Sequence, residues 1–291
     1  MAQSPTHKFG QIIGELIERP LYEPLLELAK RQGLYLDSKH SRPARGGKNK
    51  VAWQDSKGNW HDLDYVLEAG GSEETLGRPK AFIEVAYRRY TKHSRNKAQE
   101  MQGAILPLAE TYAHDRPFLG VVLAGVFTEG SVTQLRSHGF GVLYFPFASI
   151  VAAFQQVGID AAFDESSSDR DVKRKVIACA KLRQTDWNKI VNHLRHLHRT
   201  EIESFLHQLE VSLSRTIQTV FVVALHDRSF EGTTVDDAIH FIEAYDESSA
   251  ALRFCRYEVN IRYTNGDEVR ATFASKLEAI RFLTGLRLPT N

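Results

Sequence analysis

A chain of 291 residues is longer than one small core needs and suits two domains. Its 42% hydrophobic and 25% charged residues exclude a disordered or fibrous class, and no apolar run is long enough to span a bilayer. The net charge of +1 gives composition no case for nucleic acid, so any such case rests on how the charge is distributed. The start, MAQSPTHKFG, lacks an apolar signal region, and Cys179 and Cys255 stand far apart in no metal-type spacing. A cytoplasmic protein without a disulfide framework is expected.

In chain order, Ile12, Ile13, Leu16, Ile17, Leu25, Leu26 and Leu28 recur at helical spacing. They predict a helix over 8–33 that Pro20 and Pro24 can break and Gly33 stops. A basic loop follows, KHSRPARGGKNK at 39–50, with six basic groups counting His40 and no acid. Strands are expected over 51–54 and 60–67, around a hairpin tip at Lys57-Gly58-Asn59. After a loop at 69–80 comes a strand over 80–88, apolar but for Glu84. Ser94 is placed to cap a helix over 95–113. Buried strands over 118–127 and 140–147 alternate with helices over 131–138 and 148–157. Three sequential strands followed by helical crossovers imply an α/β fold, a mixed central sheet flanked by helices. The acid- and serine-rich stretch DESSSDRD at 164–171 reads as a linker, so the first domain is set at 1–163 and the second at 172–291.

The second half opens with a helical segment, 171–213, whose Trp187, Ile190, Val191, Leu194 and Leu197 form one stripe. A small α+β domain follows. Asp237-Ala238-Ile239-His240-Phe241-Ile242 echoes Glu278-Ala279-Ile280-Arg281-Phe282-Leu283. Each copy follows β structure: a strand over 219–225, and a hairpin over 257–263 and 268–273 turning at Asn265-Gly266. Pseudo-symmetry and a chance likeness between two amphipathic helices are both open readings.

The chemistry concentrates between 60 and 100. Asp62 and Asp64 share one face of the first strand, and Glu84 interrupts the next. Adjacent in a sheet, Asp64 and Glu84 make a hard-oxygen site of the kind Mg²⁺ takes. A second basic block, RRYTKHSRNK at 88–97, follows directly. Two such blocks are either solvated faces or a groove that follows phosphates, with Arg88, Arg89, Lys92, His93 and Arg95 as the DNA contacts. The ordinary alternatives are a solvated Asp64, and a Glu84 paired with Lys97 or an arginine. His193, His196 and His198 with Glu201 suit a polar helix face better than a zinc site. There is no Gly-rich phosphate loop and no serine-hydrolase elbow.

With its helix, three strands, helix, strand order, Asp64 in LDYVL and Glu84 in FIEVA, the stretch over 8–158 resembles the PD-(D/E)XK nuclease superfamily. The resemblance implies a restriction-endonuclease-like fold and a Mg²⁺-dependent DNA endonuclease, with Mn²⁺ as a substitute. Restriction or phage defence would be its setting, and a homodimer is compatible with it. Asp64, Glu84 and the Val85 carbonyl would hold the metal, and Glu15 or Glu18 would orient a water. The family lysine should stand where this chain has Ala86. Three readings follow: a lysine supplied from elsewhere, Lys97 first and Lys92 second; a Lys-to-Ala variant that holds substrate uncut; or a domain that binds nucleic acid without cutting it.

Overall fold

The computed structural model describes residues 4–225, 228–248 and 253–286, with the side chains of 91–94 left aside. The chain divides into two units, Met1–Leu213 and Ser214–Asn291.

The first unit begins with α1 (Pro5–Arg31), where Ser4 caps the His7 amide and Gly33, at φ +64°, ends the turn that follows. Pro20 and Pro24 both sit inside this helix. Pro24 has no N–H to give the Pro20 carbonyl, and that carbonyl instead accepts Arg195 Nε at 2.9 Å. The prolines therefore do not break the helix.

Strand β1 (Leu34–Asp37), which the sequence reading did not expect, comes next. The hairpin strands β2 (Val51–Gln54) and β3 (Trp60–Leu63) form a two-stranded sheet of their own, and β4 (Tyr65–Ala69) joins the main sheet. The single strand expected over 60–67 is thus two, divided at Asp64. Strand β5 (Arg78–Arg88) leads into α2 (Thr91–Thr111). Strand β6 (Phe118–Gly125), α3 (Glu129–Ser137), β7 (Gly141–Pro146) and α4 (Phe147–Gln155) complete the alternation. The sheet order is β1-β4-β5-β6-β7, antiparallel across β1, β4 and β5 and parallel across β5, β6 and β7. This is a mixed central sheet with a core on each face. Ala81 and Ile83 point to the core shared with α1, and Phe82 and Ala86 to the core under α2 and α3.

The helices α5 (Asp169–Ala180), α6 (Gln184–Leu197) and α7 (Arg199–Leu213) belong to this same unit. Their Val172, Ile190, Leu194, Phe205 and Leu209 are in the α1 core. The boundary expected between 163 and 172 is corrected accordingly: a polar, serine-rich sequence marks a surface loop equally well, and the apolar stripe of α6 fills the first core.

The second unit holds β8 (Ile217–Ala224), β9 (Arg228–Gly232), α8 (Val235–Ala244), β10 (Tyr257–Tyr263), β11 (Glu268–Phe273) and α9 (Lys276–Gly285). It is therefore ββα twice over, in a sheet ordered β11-β10-β8-β9. At its centre Val220 pairs with Ile261, residues separated along the chain as Asp237 is from Glu278. The helical echo in the sequence is a structural repeat about a pseudo-two-fold. Among the described residues no helix is long and apolar enough to cross a membrane.

Candidate functional site

Asp64 occupies the point where the chain leaves the hairpin for the main sheet. Its amide donates to the Ile83 carbonyl at 3.2 Å, and β4 pairs Tyr65 with Ile83. One step along that register Asp64 stands across from Glu84, and one step back Val66 and Phe82 both face the α2 core. The Asp64 Oδ2 atom accepts the Val85 N–H at 2.6 Å. The carboxylate thus replaces a main-chain acceptor where the β4–β5 ladder ends.

Glu84 lies on the face covered by α2, and Lys97 descends from that helix with Nζ 3.4 Å from Glu84 Oε1 and 3.6 Å from Glu100. The Glu84 and Lys97 side chains are only 16% and 18% exposed. Burial, and next the Asp64 charge, push Glu84 up to about 7, with Lys97 opposing. Burial also raises Asp64, against the Val85 amide, Lys97 and Lys39. Glu18, from α1, rises to about 7 through burial and then through Asp64. The Asp64 charge therefore acts on both Glu84 and Glu18.

The remaining predicted residues divide. Glu15 is exposed beside Glu18, and Ala86 is buried at 3% exposure. Helix α2 starts at Thr91, so Ser94 is not its cap, and Lys97 stands in the second turn, clear of the first-turn amides. Arg88 donates to the Tyr87 carbonyl at 2.9 Å and lies 3.6 Å from Glu100. Arg89 is taken up by the protein: its guanidinium lies over the Phe147 ring at 4.0 Å and its Nε donates to the Phe163 carbonyl. Expected as a phosphate ligand, Arg89 is engaged within the fold by these contacts. Arg95 is exposed. The side chains of Lys92 and His93 lie outside the described residues. His198 is buried against Phe145, with ring centroids 5.1 Å apart.

The basic loop is also divided. Arg42 is fully buried, with Nη1 2.8 Å from Asp37 and 2.6 Å from Glu68, and further bonds to the carbonyls of Ser72 and Thr75. Arg45 reaches Asp37 at 3.2 Å. These two arginines clamp loops together and are closed to a phosphate. Lys39 and Lys48 of the same block are exposed.

Asp64 and Glu18 open onto a cleft of about 980 Å³, whose lining also includes Tyr22, Lys39, Asn188 and Asn192. Glu84 is not part of that lining. The sequence signal for this wall of α6, not among the expected site residues, is Gln184, Asn188 and Asn192 recurring at one-turn spacing.

Among the described residues no three His, Cys, Asp or Glu side chains are arranged to hold a metal ion. Asp64 and Glu84 still fit one as a pair: their donors are hard oxygens, both are desolvated, and each is destabilised as an anion. A cation between them would relieve that cost, as Lys97 now does in part.

No family model matches the sequence, and no curated protein does. Among solved structures, the crystal structure of a protein of unknown function, AF1548, aligns at 8% identity over 68% of this chain and 98% of that one, with a TM-score of 0.28. A likeness this low carries no argument.

Proposed function

We propose that the first unit is a metal-dependent phosphodiesterase acting on DNA, an endonuclease on a restriction-endonuclease-like sheet. One observation carries the reading: Asp64, just ahead of β4, stands across from Glu84 of β5 and raises it by its charge, and a lysine ammonium reaches Glu84 from α2 although residue 86 is alanine. Asp64, Glu84 and the Val85 carbonyl would hold Mg²⁺ or Mn²⁺. Such an ion supplies Lewis acidity toward a phosphoryl oxygen. Lys97 offsets negative charge that develops on the phosphate. Glu18, poised near neutrality, is suited to hold or take a proton from water, the part its neighbour Glu15 plays less well from an exposed position. Arg88 and Arg95 would hold flanking phosphates and carry no sequence information.

The test is cleavage of plasmid and of single-stranded DNA with Mg²⁺ or with chelator. The intact chain should cut only with the ion, and Glu84→Gln or Lys97→Met should lose about a hundredfold in rate. If Ala86→Lys cuts and the unaltered chain does not, the site lacks its lysine and Lys97 is not a substitute. If neither cuts any DNA or RNA, a binding protein on the same fold is the better reading.

A further inference from the structure

The cleft beside Asp64 has a wall that phosphodiester chemistry does not use. Gln184, Asn188 and Asn192 follow one another at every fourth residue of α6, on one face, and all three are exposed within the cleft. The helix is anchored from its other side by Ile190 and Leu194. The lining also presents Tyr22, which is 40% exposed.

Charge in the cleft runs against a phosphate backbone. Arg195 is committed to Glu23 at 2.8 Å and to α1 carbonyls, and His40 lies 3.3 Å from Glu73. Arg19 lies over the Trp187 ring at 5.2 Å. What faces the cleft otherwise is Glu15, Glu18 and Asp64 against Lys39. Without a cation at Asp64 the cleft holds little to attract a polyanion, whereas a neutral, flat, hydrogen-bonding group needs no such attraction.

We propose that this cleft receives a single nucleobase turned out of the strand whose phosphate lies at Asp64 and Glu84. The proposal rests on the phosphodiesterase reading for its substrate. Gln184 Nε2 donates to Asn188 Oδ1 at 3.0 Å, and the second Gln184 amide hydrogen, the Asn188 amide and the Asn192 carboxamide still offer donors and acceptors to a base edge. Tyr22 supplies a face on which a base stacks. The volume is that of an ordinary small-molecule cavity and holds a nucleoside with room for water. Turning a base out is how a protein reads its edge without a helix in a groove.

The test titrates the intact protein with each of the four nucleoside monophosphates, with ribose 5-phosphate and with spermidine, by calorimetry. The nucleotides should bind, and ribose 5-phosphate at least tenfold more weakly. Asn188→Leu with Asn192→Leu, on exposed positions, should weaken nucleotide binding at least tenfold with an unchanged circular dichroism spectrum. Tyr22→Ala should weaken it independently. In an oligonucleotide bearing 2-aminopurine, emission should change severalfold on binding without Mg²⁺, and the Asn188→Leu, Asn192→Leu variant should lose that change. Equal binding of ribose 5-phosphate, binding of spermidine alone, or no binding at all would each overturn the proposal. Mg²⁺-dependent cleavage without nucleotide binding would remove the cleft proposal and leave the phosphodiesterase. Nucleotide binding without cleavage would do the reverse.

Discussion

The carboxylate of Asp64 accepts the Val85 amide and, by its charge, helps to raise both Glu84 and Glu18. The two glutamates keep a proton to about pH 7 in the folded chain but only to about 4.5 once unfolded. Between those values the native state binds more protons than the unfolded one, so stability falls as pH rises through that window. Glu84→Gln removes one of the two titrations. Relative to the unaltered protein, the variant should therefore gain stability from about pH 5 to about pH 8 in urea melts, and an equal difference at both would deny Glu84 its raised value. Arg42 is the opposite case, a cation held dry between Asp37 and Glu68. Arg42→Met strands two buried anions and should cost about 3–5 kcal/mol in the same melts. The placing of Asp64 across from Glu84 was legible because consecutive strands tend to pair, and β4 does pair with β5. Lys97 was legible because a lysine stem can reach back over a strand end. Arg42 was not, since its partners come from β1, β4 and a loop, and nothing in a basic run says which member turns inward.

Element boundaries depended on whether a local signal met competition from tertiary contacts. Helix α1 carries two prolines and stays whole because another helix supplies the missing donor. Arg195→Ala should cost about 1–2 kcal/mol by leaving the Pro20 carbonyl short of a partner. In a Pro24→Ala background residue 24 regains its N–H, and the same substitution should cost less; a thermal double-mutant cycle reads the difference. Additive effects would mean that Arg195 matters through Glu23 and the Arg19 carbonyl rather than through Pro20. The strand over 60–67 looked continuous because its apolar residues do not register a change of partner at Asp64. The four-residue β1 does not show in the sequence because Leu34-Tyr35-Leu36, between Gly33 and the basic block, is too short to display a strand's alternation. Ser94 looked like a cap by residue type, yet α2 begins three residues earlier.

At the scale of the whole chain, the α/β class and the mixed sheet were readable from element order, whereas the position of the division was not. A chain ending at residue 213 keeps every helix of the α1 core and should fold, with a cooperative melt. One ending at residue 163 loses Val172, Ile190, Leu194, Phe205 and Leu209 from that core and should not. Circular dichroism melts of the two fragments decide it, and a cooperative melt from the shorter one would restore the earlier boundary. The repeat in the second unit has a consequence of its own. Cut free, a single ββα half leaves the inner edge of its first strand bare. The partner that best covers it is another identical half, through the contact now made by Val220 and Ile261. Residues 253–286 alone should sediment as a dimer, and a monomer would deny the equivalence of the halves. Joining two such halves in one polypeptide makes an association that dilution would otherwise undo independent of concentration. The second unit then reads as a tethered dimer, its two halves free to diverge on their outer surfaces while the seam between them stays fixed.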